Sequence, residues 1–223
     1  MPLRICIDQY LNNPKLVPLL VILTAFSTIN LLYRPMRATV IVLITLVLLN
    51  FFSELSINSN QQFLLKSLSQ SARYLIPFAF LLLPRKMSTA VLLVRIAAAA
   101  TFFGHGVQAL FRSPHFIELI QSAGEYLLGL NIPPTVASKI LPPIGIVDLV
   151  LAITIVLKKW SFVAGYMSAW GILTSASRTV HFGLTGVHET LMRFPNAGAP
   201  LALFLFWSLR YKTQGESKHQ NSQ

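Results

Sequence analysis

The chain has 223 residues, 54% hydrophobic and 11% charged, with a formal net charge of +11. That is too few charges to coat a soluble domain, where about 25% is usual. The basic residues fall mostly as short pairs between apolar runs, a topology signal of membrane proteins that points away from nucleic acid as the partner of the positive charge.

If lipid is the natural solvent, the length supplies roughly six to eight spans of about 20 residues. The single cysteine, Cys6, excludes an intrachain disulfide and a cysteine-based metal cluster. Residues 1–15 are mixed and precede an apolar run from Leu16 to Tyr33. The run is long for a signal peptide and no small-residue cleavage site follows it, so it reads as a retained first span. Arg34-Pro35-Met36-Arg37 is a tight basic turn. The second span runs from about Ala38 to Leu55, and residues 56–62 form a polar loop. A third span begins near Phe63 or Leu65 and ends at Pro84-Arg85-Lys86, with Lys66 and Arg73 snorkelling near the interface.

Ser88 is placed to cap the fourth span, which runs to about Phe111 and reads RIAAAATFFGHGVQALFR over 95–112. Ser113-Pro114 reads as N-cap and first position of another helix. In it Phe116, Ile117, Ile120 and Leu127 share one side, and Glu118, Gln121, Ser122 and Glu125 the other. This is an amphipathic helix that lies in the interface or re-enters the bundle, and Asn131-Ile132-Pro133-Pro134 ends it. The fifth span, roughly Ser138 to Leu157, is bent by Pro142-Pro143-Gly145 and carries Asp148. After Lys158-Lys159 comes the sixth span, Trp160 to about Ser177, with Gly171 and Ser175 on a small-xxx-small face. Residues 178–196 read as a polar connection bearing Arg178, His181, His188, Glu189 and Arg193. A short last span, about Pro195 to Leu209, leads to a disordered polar tail, 212–223.

Seven spans put Arg34/Arg37, Arg85/Lys86, Lys158/Lys159 and Arg210/Lys212 on one side. Asp8, Glu118, Glu125 and Glu189 fall on the other. The positive-inside rule then sets the N-terminus outside and the C-terminus in the cytoplasm, with His105, His115, His181 and His188 near the outer face.

Polar groups in hydrocarbon are kept mainly where they pair, line a cavity or act. Arg95 and Asp148 sit at depths about one helical turn apart, so a buried charge pair is expected between them. It either fixes helix register or serves a substrate head group or proton path. His105, between two glycines, is either hydrogen-bonded to a neighbour or a ligand for metal, haem or quinone. Arg178 and His181, three apart, share a face if the sixth helix continues that far. With His188, Glu189 and His105 they could form a His/Glu/Arg cluster at the outer mouth, although the spacing matches no closed metal motif.

Arg95, the small-residue run, Phe103-Gly104-His105-Gly106 and Ala109-Leu110 resemble the opening helix of the DoxX-like membrane proteins. There an arginine begins the first of four helices and a G-H-G type turn follows. The stretch with Phe116, the span with Gly145 and Asp148, and the run from Arg193 to Leu201 also resemble the family pattern. Asp148 stands where a Glu-bearing second helix is usual.

The resemblance covers about residues 88–211 and leaves 1–87 as a three-span extension. It implies an all-α integral membrane helical bundle in the bacterial inner membrane. Together with the spans read above, the whole chain is expected to have about seven transmembrane helices, of which the C-terminal four form the family's bundle, plus an amphipathic interfacial helix. It also implies an accessory, redox-linked subunit, with other membrane or redox subunits as partners. Arg95 and Asp148 would then set the bundle interior, and His105 with His181 or His188 would face a quinone or metal. Fold analogy alone does not carry function. A transporter or binding protein for a small solute or lipid, or an assembly factor without a site, fits the same sequence.

Overall fold

The computed structural model describes residues 37–57 and 60–220, so the expected first span lies outside the described residues. Eight α-helices and one 3-10 turn account for nearly all of them, and no strand occurs among the described residues. The helices are α1 (Arg37–Ile57), α2 (Asn60–Ser69), α3 (Ser71–Leu82), α4 (Met87–Leu110), α5 (Pro114–Leu128), α6 (Pro134–Leu157), α7 (Ser161–Phe182) and α8 (Val187–Gln220). Gly183–Gly186 makes the 3-10 turn.

Two helices among the described residues, α4 and α6, are long and apolar enough to cross a membrane, with mean hydropathy of 1.7 and 2.5. Along α6 the side chains of Ile146, Val150, Ile153 and Leu157 are all exposed. Their spacing of three and four puts them on one outward stripe. A stripe of that kind is unfavourable in water and favourable in lipid.

α4 is the hub, packed against α2, α3, α6 and α8. Its inner face is mostly small residues, alanine and glycine, with Ala97 and Ala98 fully buried, which lets neighbouring backbones approach closely. The core joins Ala98, Ala99 and Phe102 to Ala152 and Ile155 of α6, Ala164 and Met167 of α7, and Leu203 and Trp207 of α8.

The two glycines around His105 are used for backbone contact. A Cβ on Gly104 would collide with the backbone nitrogen of Ser69, and one on Gly106 would stand 2.9 Å from the carbonyl oxygen of Gly145. Gly106 thereby seats α6 against α4, and Gly104 seats the junction of α2 and α3.

That junction departs from the sequence reading. The expected third span is two helices broken at Gln70, whose φ is −110° and ψ 8°. The Ala72 N–H donates to the buried Thr101 hydroxyl of α4 at 2.9 Å, so a neighbouring helix satisfies a backbone donor freed by the break. α4 starts at Met87 with Lys86 at the N-cap, so Ser88 lies in the first turn and is not the cap.

α5 opens as expected, with Ser113 at the N-cap and Pro114 in the first turn. It stops earlier than expected, at Gly129 in the left-handed conformation (φ 64°). Leu130 N–H donates to Gly124 O at 2.9 Å and Gly129 N–H to Glu125 O at 3.1 Å, the second being the bond of the αL C-terminal motif.

The expected polar connection over 178–196 is mostly helix. α7 continues to Phe182 and α8 begins at Val187, leaving the short turn Gly183–Gly186 between them. The small-xxx-small face of α7 carries α8. A Cβ on Gly171 would stand 2.9 Å from Ala197 Cα, and Ser175 Oγ donates to Arg193 O at 3.3 Å. The polar tail expected to be disordered continues α8 to Gln220, as propagation of an existing helix adds one hydrogen bond for each residue ordered.

Candidate functional site

At the end of the bundle where α4 meets α5 and α7 meets α8, the structure forms a half-open cavity of about 360 Å³. Its walls come from five segments. Leu65, Lys66 and Ser69 of α2 and the junction residue Gln70 form one side. His105 and Gln108 of α4 form the floor, with Phe111 at the rim. Ser113, His115 and Phe116 close it from the α5 end, and Arg178 and Arg193 come from α7 and α8.

Arg178 is the most enclosed of these, at 3% exposure. Its Nη1 lies 3.3 Å from His115 Nδ1, and its Nε has no hydrogen-bond partner. A guanidinium only donates, so His115 Nδ1 accepts and the imidazole is neutral with its proton on Nε2. Burial, then the positive charges of Arg178 and Arg193, push His115 from its ordinary value down to about 4. Both causes disfavour a second positive charge at this point.

Arg193 is 22% exposed and lies 3.4 Å from Glu189, one turn earlier on α8, while its Nε is buried without a partner. His105 sits with Nε2 at 3.4 Å from the Asn196 side-chain amide and its ring 5.9 Å from that of Phe116. Its Nδ1 is buried and unpartnered. His181 is tied to α5 through Ser122, Oγ to Nδ1 at 2.5 Å. The side of α5 read as polar therefore turns partly inward, while Tyr126, Leu127 and Leu128 are exposed.

Of the residues singled out in the sequence, the structure brings His105 and Arg178 to one cavity and sets Glu189 and His181 beside it. The backbone of His188 is in the first turn of α8, and its side chain lies outside the described ones. Among the described residues, no three of His, Cys, Asp and Glu converge as a metal ion would need.

Arg95 and Asp148 do not meet. Arg95 Nε and Nη2 donate to the carbonyls of Ile155 and Val156, each at 2.5 Å, and its guanidinium lies 5.9 Å from the Trp207 ring centre. It closes the last turn of α6, where the final carbonyls have no partner within the helix. Asp148 lies two turns earlier, 5% exposed. It faces the Trp170 indole, and Oδ1 has no partner.

Most wall residues were missed as site residues, among them His115, Arg193, Gln108 and Lys66. His115 directly follows the Ser113-Pro114 helix start, and Arg193 lies four residues after Glu189. Both signals are present in the sequence, but neither distinguishes a cavity from a surface. No family model, no curated protein and no solved structure matches the chain.

Proposed function

We propose that the protein is a multi-span integral membrane bundle that binds a small amphipathic solute in the cavity between α2, α4, α5, α7 and α8. The full reading is about seven spans in the bacterial inner membrane, N-terminus outside and C-terminus in the cytoplasm. The apolar length of α4 and α6 and the exposed apolar stripe of α6 support the membrane placement. DoxX-like kinship over 88–211 remains the proposed origin of the C-terminal helices.

One observation carries the binding reading. A half-open cavity of about 360 Å³ combines aromatic side chains, Phe111 and Phe116, with convergent polar groups from separate helices. That is the usual make-up of a small-molecule site. The test is thermal unfolding of the full chain in neutral detergent against a panel of soluble amphiphiles and lipids. A ligand should raise the midpoint of the wild type and leave Gln108→Trp, which fills the cavity, unmoved. A panel without any stabilising compound would sink the proposal.

The redox reading has a specific observation of its own: His105 and Phe116 face one cavity. An imidazole and a phenyl ring suit a quinone, one through a hydrogen bond to a carbonyl and the other through ring contact. Solvent extraction of the purified protein decides it. Bound quinone that disappears in His105→Ala supports a redox-linked subunit, and quinone-free wild type removes it.

A further inference from the structure

The cavity holds a buried cation, Arg178, whose nearest counter-charge among the described residues, Glu189, is engaged by Arg193. Arg193 has Glu189 within 3.4 Å. Arg178 is 3% exposed, its Nη1 meets a neutral imidazole and its Nε meets nothing. Among the described residues no carboxylate stands within ion-pairing distance of it. An arginine does not escape burial by losing its proton, and a buried charge without a counter-charge is strongly unfavourable. Further N–H donors lie close by. Arg193 offers a second buried N–H without a partner, and Lys66 and Gln108 are on the same wall.

We infer that the cavity is an oxyanion site: it takes the phosphate, sulfonate or carboxylate group of a small amphipathic molecule, with Arg178 as the principal ligand and Arg193 as the second. The guanidinium fork matches two oxygens of such a group at once. Leu65, Phe111 and Phe116 line the rest of the cavity, and Phe111, 80% exposed, stands at its rim. A hydrocarbon body can leave along that apolar side while the anionic head remains on the arginines. This inference rests on the solute-binding reading and narrows it to one chemical class. A membrane lipid and a soluble organic anion can each supply the head, and the chemistry at Arg178 is the same for both.

The experiment uses the full chain in neutral detergent, titrated with phenyl phosphate and with phenol as its uncharged counterpart. It is repeated in phosphatidylcholine nanodiscs with and without phosphatidylglycerol. Phenyl phosphate should raise the unfolding midpoint and phenol should not. Arg178→Gln should weaken phenyl phosphate by on the order of 10- to 100-fold, the usual worth of a hydrogen bond to a charged group. Arg193→Gln should weaken it several-fold and serves as the test if Arg178→Gln does not fold.

Phosphatidylglycerol that stabilises the protein and competes with phenyl phosphate assigns the site to lipid; phenyl phosphate binding without competition assigns it to a soluble anion. If phenol and phenyl phosphate bind alike and Gln108→Trp abolishes both, the cavity binds solutes and the oxyanion assignment fails alone. Unchanged affinity in Arg178→Gln, or in Arg193→Gln where that is the only folded variant, also overturns it. If no probe acts on the wild type, this inference and the binding reading fall together.

Discussion

Arg95 and Arg178 are each an arginine within a long helix, and their surroundings give them different tasks. Arg95 spends its donors on Ile155 and Val156 carbonyls and rests near Trp207, so it is satisfied without any anion. Arg95→Ala should therefore cost about 2 kcal/mol of stability, as lost hydrogen bonds from a charged donor do, and leave anion affinity unchanged. Midpoints and titrations of the same variant check both parts. His115 supplies part of the pH dependence. Its folded value, about 4, lies below the ordinary 6.5, so the unfolded chain binds more protons between them. Stability is fully present above about pH 6.5 and falls as the pH drops toward about 4. His115→Asn should reduce that slope in midpoints measured across the window. A slope identical to wild type would mean that His115 is not held neutral.

The packing of α4 rests on backbone approach, which makes a methyl group informative. Gly104→Ala pushes a carbon into the backbone at Leu68 and Ser69, and overpacking of this kind costs about 1–3 kcal/mol. Gly198→Ala on α8 meets nothing within 4 Å and should be neutral or slightly stabilising, since alanine is the better helix former. Unfolding midpoints that fall for both variants alike would show that Gly104 is not a contact point. The same element shows what the sequence carries and what it lacks. Apolar runs bounded by basic turns and proline located α1, α4, α6 and the start of α5 within a few residues. The break at Gln70 was not visible, because its stabilising partner, the Thr101 hydroxyl, lies 29 residues away from Ala72. The same limit applied to Arg95 and Asp148. Sequence position gives height along a helix, at 1.5 Å per residue, but not rotation about it, and Asp148 is turned toward Trp170 on α7. For the site, sequence located the histidine- and arginine-rich end of the bundle, but not which of those residues share a wall.

At the scale of the molecule, α4 and α6 run antiparallel. Arg95 meets Ile155, while Gly106, further along α4, meets Gly145, further back along α6. Arg85-Lys86 before α4 and Lys158-Lys159 after α6 therefore share one end. α5 connects the opposite ends, and the cavity with His105, His115 and Arg178 lies there. If these helices cross a bilayer, the basic end belongs in the cytoplasm and the cavity at the outer face. Single cysteines in a Cys6→Ser background test this with a membrane-impermeant maleimide. Glu125→Cys, exposed on α5, should label in intact cells. Lys158→Cys, exposed after α6, should label only after the membrane is permeabilised. The reverse pattern would turn the molecule over and open the cavity to the cytoplasm, so the anion would come from inside the cell. Labelling of both in intact cells would mean that α4 and α6 do not separate two compartments, and the apolar stripe of α6 would then need a protein partner in place of lipid.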